Sequence, residues 1–253
     1  MEKHKPNNPK RYGLIGKNID YSFSRGYFAE KFDRESISNC RYENFDLPTI
    51  ASLKPLLKDV SIMGINVTIP YKEAVIPYLD ELKGDAKTIG AVNTIVFDNQ
   101  RKAIGYNTDA YGFEKALLDV LPSIPEKALI LGTGGAAKAI AFVLEKNNIQ
   151  ARFVSRNPKE NQWSYDQLDP EKIESHQLIV NCSPLGTHPN IEQKPDIPYA
   201  HIGPQHTLFD LIYNAQKTRF LALGEQQGAR IQNGAAMLVN QAEEAWRLWN
   251  QGQ

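Results

Sequence analysis

Short runs rich in Val, Ile and Leu alternate with longer amphipathic stretches from Tyr12 almost to the end of the chain. That alternation constrains the fold more than any other feature. Strand-sized apolar runs separated by helix-sized segments are the pattern of a mainly parallel sheet covered by helices, because a parallel strand must return through a crossover that lies on the sheet. The predicted strands are YGLIG at 12–16, CRYENF at 40–45, SIMGINVTI at 61–69, NTIVFD at 93–98, ALILG at 128–132, ARFVS at 151–155, LIVNC at 178–182 and TLFDLIY at 207–213. Those beyond about residue 125 are spaced as one dinucleotide-binding unit. At 253 residues the chain exceeds the usual size of one compact domain, so two are expected.

Charge and hydropathy exclude several classes of partner. The 29 basic and 29 acidic residues cancel, and no run of Lys and Arg interleaved with aromatics occurs, so nucleic acid has no electrostatic footprint here. The apolar runs are too short for a membrane span, and the polar leader MEKHKPNNPK has no apolar stretch of the signal-peptide kind. These features predict a cytoplasmic chain with an unstructured leader. Cys40 and Cys182 lie in no CxxC or Cys/His pattern and read as reduced structural thiols, and nothing metallic is required.

LILGTGGAAKAIAFVLEK at 129–146 reads as a buried strand, a turn containing Gly132, Gly134 and Gly135, and a helix. Glycine lets the backbone approach a pyrophosphate, which the free amides of the helix N-terminus then hold. Taken alone it is also the pattern of a tight strand-to-helix turn with no ligand. The next strand separates the readings, because a site for NAD ends that strand with Asp or Glu to take the ribose 2′-hydroxyl. Here FVSRNPKE puts Ser155, Arg156 and Asn157 at that place. Arg156 with Lys159 suits a 2′-phosphate, and so NADP.

NVTIPYKE at 66–73 carries Lys72 into the first turn of a short helix opened by Pro70 and stopped by Pro77. A cation is disfavoured there by the peptide dipoles, which suits a group that must give up a proton. Alone, Lys72 reads as a solvated lysine. Other polar groups fall at element ends. Asn93 and Thr94 open a strand, and Asn107, Thr108 and Asp109 precede an amphipathic helix predicted to begin near Tyr111, where Asp109 alone would be an N-cap. Ser22 and Ser24 stand before GYFAEKF with the same capping alternative. On the last helix Gln241 falls on the apolar stripe, so it either bonds neighbouring backbone or is aimed at a polar ligand.

NVTIPYKE, GAVNTIV, YNTDAYGF, LGTGGAAKA, VNCSPLGTHP and NGAAMLVNQAEEAW, in this order and spacing, resemble the shikimate dehydrogenase family over about residues 11–250. The resemblance implies an α/β fold with an N-terminal α/β substrate-binding domain, a Rossmann-type NADP-binding domain, and a C-terminal helix that returns to the first domain. The boundaries it suggests are 1–107, completed by 234–253, and 108–233. It implies that Lys72 and Asp109 form the catalytic pair for NADPH-dependent reduction of 3-dehydroshikimate. Ser22 and Ser24 match the serines at the substrate carboxylate; Thr68, Asn93, Asp109 and Gln241 match groups at the ring hydroxyls, and Tyr213 the tyrosine facing the substrate. Gly132, Thr133, Gly134, Gly135 and Ala136 match the pyrophosphate loop, and Ser155, Arg156 and Asn157 the 2′-phosphate turn. Leu211 and Gly234 match positions near the nicotinamide. Arg25 stands where the family has Pro. The expected partners are small molecules only, with a monomer or homodimer as the assembly. Quinate or broader polyol-acid oxidation and a non-catalytic dinucleotide-binding regulator are the alternatives.

Overall fold

The computed structural model describes residues 9–20 and 22–251, so the expectation for the leader falls, for residues 1–8, outside the described residues. Contacts divide the chain into two units, residues 1–108 with 242–253, and residues 109–241.

The first unit contains β1 (Lys10–Gly16), α1 (Phe23–Arg34), β2 (Cys40–Asp46), α2 (Lys54–Lys58), β3 (Ile62–Val67), α3 (Tyr71–Ala74), β4 (Glu81–Leu82), α4 (Ala86–Ile89), β5 (Thr94–Phe97) and β6 (Ala103–Tyr106). Its six strands are ordered β2-β1-β3-β5-β6-β4. β2, β1 and β3 run parallel, whereas β5 pairs antiparallel with both β3 and β6. One face buries Ile15, Ile62, Ile65, Val67 and Ile95. The other packs Tyr12, Phe28, Phe32 and Tyr42 against Trp249 from the end of the chain. The Trp249 indole N–H donates to the Ile95 carbonyl at 3.0 Å. Gly64 is required beneath that indole, since a Cβ there would collide with the ring.

The second unit takes up α5 (Thr108–Val120) from its second residue, followed by β7 (Lys127–Leu131), α6 (Gly135–Lys146), β8 (Gln150–Val154), α7 (Pro170–Glu174), β9 (Leu178–Asn181), β10 (Thr207–Asp210), α8 (Arg219–Gln226), β11 (Arg230–Gln232) and α9 (Ala235–Asn250) as far as Gln241. All five strands are parallel, in the order β11-β10-β9-β7-β8. β8 lies on one side of β7 and the later strands on the other, so the order reverses at β7 and leaves a crevice beyond the carboxyl ends of β7 and β9. The core of this unit is Leu129, Leu131, Ile179, Leu208, Phe220 and Leu221.

The structure corrects several expected boundaries. The predicted strand 207–213 ends at Asp210, where the carboxylate accepts the Ile212 N–H at 3.1 Å and turns the chain. The helix expected near Tyr111 starts at Thr108. The strands β4, β6 and β11, of 2, 4 and 3 residues, are too short to stand out by periodicity and were not predicted. Among the described residues no helix is long and apolar enough to cross a membrane.

Candidate active site and dinucleotide loop

In the first unit, Thr68, Lys72 and Asn93 are brought together by backbone bonds where β3 ends and β5 begins. The Val67 N–H donates to the Asn93 carbonyl at 2.8 Å, the Val92 N–H to the Lys72 carbonyl at 2.8 Å, and the Thr68 N–H to the Ile15 carbonyl at 2.9 Å. Tyr71, buried beside Lys72, donates its hydroxyl to the Leu47 carbonyl at 2.7 Å. These bonds hold α3, which is a single turn of four residues. So short a helix aligns few peptide dipoles, so the macrodipole contributes little and the anchored backbone is what presents the half-buried Lys72.

Ser22 and Ser24 stand where the chain leaves β1 and enters α1. Ser22 is the N-cap of α1, its hydroxyl accepting the Ser24 N–H at 3.2 Å, and Ser24 is buried in the first turn. The capping reading of Ser22 is therefore met, and it leaves the Ser22 hydroxyl proton available to another acceptor. Tyr21, the first residue of YSFSRGYF, lies outside the described residues.

A buried hydrogen-bond network that the sequence reading missed fixes Asn93. The Tyr42 hydroxyl donates to Asn66 Oδ1 at 2.8 Å, and Asn66 Nδ2 donates to the Asn93 carbonyl at 3.2 Å and to Thr94 Oγ1 at 3.1 Å. Asn93 Nδ2 donates to Thr108 Oγ1 at 2.9 Å, and Asn93 Oδ1 accepts the Thr108 N–H at 2.6 Å. The last of these bonds supplies an acceptor to the start of α5, which is why that helix begins earlier than its apolar pattern suggests. Asp109 is accordingly the second residue of the helix, not its cap, and is buried. The available signal was Asn66 itself, a polar residue inside an otherwise apolar strand.

In the second unit, Gly132 follows β7 with φ of +116°, and a Cβ there would lie 3.2 Å from the Cys182 carbonyl carbon. Only glycine fits both the backbone angle and the approach to the loop after β9. Gly134 is the extended N-cap of α6, with no side chain capping the helix, and space opens in front of it. Thr133 and Gly134 are exposed, and Gly135 and Ala136 half-buried. Beyond β8, Ser155 Oγ accepts the Asn157 N–H at 3.2 Å, forming a turn from which Arg156 and Asn157 are exposed. An uncapped helix start at the crevice and an exposed guanidinium one strand away fit the pyrophosphate and 2′-phosphate of NADP.

Leu211 and Tyr213 lie half-buried on the loop after β10, and Gly234 precedes α9 with its N–H donating to the Ile212 carbonyl at 3.0 Å. Gln241 is buried on α9, and its Nε2 donates to the Leu238 carbonyl at 2.9 Å, which is the backbone-bonding alternative. Cys182 is free, its thiol pushed up by burial and by the Asp210 charge.

A parallel sheet with a glycine loop at its switch point, joined to a second α/β unit bearing a clustered Lys, Thr and Asn, defines a two-unit dinucleotide-binding α/β protein. The shikimate dehydrogenase substrate binding domain matches residues 14–95. A shikimate dehydrogenase (NADP+) of Methanococcus maripaludis is 38% identical over 95% of this chain and 91% of its own. Among solved structures, shikimate dehydrogenase from Aquifex aeolicus is 32% identical, with a TM-score of 0.86 over 96% of this chain and 93% of that one. The Thermus thermophilus enzyme, solved with NADP(H) and shikimate, is 29% identical, with a TM-score of 0.84 over 95% and 93%. The chain belongs to the shikimate dehydrogenase family.

Proposed function

We propose that this chain catalyses the reversible NADPH-dependent reduction of 3-dehydroshikimate to shikimate. The observation that carries the reading is the anchoring of Thr68, Lys72 and Asn93 at one place in the first unit, in a chain 38% identical to a relative named shikimate dehydrogenase (NADP+). Gly132 to Ala136 would hold the pyrophosphate of NADP, with Ser155, Arg156 and Asn157 at the 2′-phosphate and Leu211 and Gly234 beside the nicotinamide. When bound, the cofactor supplies the hydride.

Lys72 gives its proton to the substrate oxygen as negative charge develops there, and its positive charge favours that developing alkoxide over the neutral carbonyl. Asp109 completes the proton exchange as the second member of the pair. Ser22 and Ser24 take the substrate carboxylate, while Thr68, Asn93, Asp109 and Gln241 orient the ring hydroxyls and Tyr213 faces the ring. The reading includes a cytoplasmic compartment and a monomeric or homodimeric state.

The test is a kinetic matrix of shikimate and quinate against NADP+ and NAD+, followed at the nicotinamide absorbance. The highest kcat/KM is expected for shikimate with NADP+. A higher value for quinate with NAD+ would overturn the substrate assignment, and cofactor binding without turnover would mark a regulator.

A further inference from the structure

We propose that the buried Asp210 carboxylate is a positioning residue that sets the conformation of the loop 211–218 carrying Leu211 and Tyr213. The importance of that loop rests on the function proposed above; the role of Asp210 within it rests on geometry. Asp210 ends β10 and is fully buried. Its Oδ2 accepts the Thr218 hydroxyl at 2.6 Å, and its Oδ1 accepts the Ile212 N–H at 3.1 Å, so one carboxylate closes the loop on itself. Oδ1 also accepts from Asn181 Nδ2 at 3.0 Å. Asn181 in turn takes the Ser183 N–H at 3.0 Å and the Ser183 hydroxyl at 2.6 Å, so the loop after β9 is tied to the same charge.

All three direct donors are neutral groups. The titratable groups facing the carboxylate are the Cys182 thiol, on the loop after β9, and the Tyr199 phenol, on the 199–201 turn, with Arg219 beside that phenol. Burial and the Asp210 charge push both the thiol and the phenol up, so each remains neutral and neither offsets the carboxylate. Burial accordingly raises Asp210 from 3.8 to about 6, against the pull of the three hydrogen bonds. A carboxyl group raised on folding contributes stability that is fully present below its unfolded value and is lost as pH rises through its folded value. Above about pH 6 the protein holds an ionised Asp210 at a cost in stability, and in return has charge-assisted bonds on the loop, which are stronger than neutral ones. A charge retained at such a cost is of the kind found where function and stability conflict.

Asp210→Asn mimics the protonated form, since its amide can donate to Thr218 Oγ1 while its carbonyl keeps Ile212 and Asn181. At pH 8 this variant is expected to have a higher thermal midpoint than wild type and a kcat/KM for shikimate lower by about tenfold, the difference between a charged and a neutral hydrogen bond. NADP+ affinity should stay within about twofold, because the phosphates are held elsewhere. The wild-type kcat/KM should fall below about pH 6, and that limb should be missing from the variant. Hydrogen exchange of residues 211–218, corrected for intrinsic rates, reads the loop without any substrate: wild-type exchange should quicken as pH falls through about 6, and the variant should exchange at the faster level throughout.

Wild-type exchange and turnover in Asp210→Asn at pH 8 would overturn the proposal, and so would a joint loss of activity and thermal midpoint, which marks a structural role only. Should the variant fail to fold, Thr218→Val removes one donor and Thr218→Ser restores it, and equal loop exchange in the two sinks the idea. A wild-type protein inert toward shikimate would overturn the proposed function and leave the exchange result to decide the role of Asp210.

Discussion

The two units place their polar groups by opposite means. In the first, the candidate residues are side chains whose positions depend on buried partners, with Asn93 held by Thr108 and flanked by Asn66 and Tyr42. In the second, the groups proposed for the cofactor are mostly backbone, an uncapped helix start after Gly132 and Gly134, with Arg156 standing out from an exposed turn. A reaction that discriminates among ring hydroxyls needs donors and acceptors fixed to within fractions of an ångström, which packed side chains supply. A pyrophosphate is a large anion that any correctly shaped loop of amides can hold. Damage to the side-chain network around Lys72 and Asn93 should therefore appear in turnover, and damage to the glycine loop or the Arg156 turn in cofactor affinity.

The widest separation is expected from Lys72→Ala. Loss of one group aimed at developing charge costs on the order of 100-fold in kcat, about 2.7 kcal/mol, while NADP+ binding measured by fluorescence should be unchanged. Near wild-type kcat would remove Lys72 from the chemistry and with it the contrast between the units. Thr108→Val is expected next. It removes the buried 2.9 Å bond from Asn93 Nδ2 to Thr108 Oγ1, so a stability loss of about 1 kcal/mol should accompany a fall in kcat/KM for shikimate, with the NADP+ constant again unmoved. Denaturant titration and steady-state kinetics on one preparation check both, and unchanged stability would show that this bond does not hold Asn93 in place.

The legible part of the sequence follows the same division. Alternation of apolar runs located the long strands, and the glycines located the turn between β7 and α6, because both depend on local residue type. Lys72 stood out for the wrong reason. The sequence suggested a helix dipole, but α3 is one turn long, and the lysine is presented by the backbone bond from Val92 and the buried Tyr71. Asp109 looked like a cap because the acceptor that starts α5 comes from Asn93, fifteen positions earlier, and no local pattern shows it. Residues 211–213 were read as a continuation of the strand for the same reason, since the donors that turn the chain at Asp210 include Asn181 and Thr218 from two other segments. Hydrogen bonds between distant segments decide which polar residues are buried, and they leave no periodic trace.

Two substitutions in the second unit sharpen the comparison from its other side. Arg156→Gln removes a charge-assisted contact from an exposed turn, and KM for NADP+ should rise about tenfold while that for NAD+ holds, since NAD+ has no 2′-phosphate. Equal changes for both cofactors would mean that Arg156 is not at the 2′-phosphate. Gly134→Ala should have the smallest effect. Its φ of −74° and ψ of −179° suit any residue, and no atom lies within 4 Å of the added Cβ, so the free protein should be unchanged or gain a few tenths of a kcal/mol from a stiffer unfolded chain. The added methyl group stands instead where a phosphate must approach the amides, so NADP+ affinity should fall by a few-fold with kcat at saturation retained. A Gly134→Ala protein with wild-type affinity would place the pyrophosphate elsewhere on the loop, because the open space at that glycine has no other evident claimant.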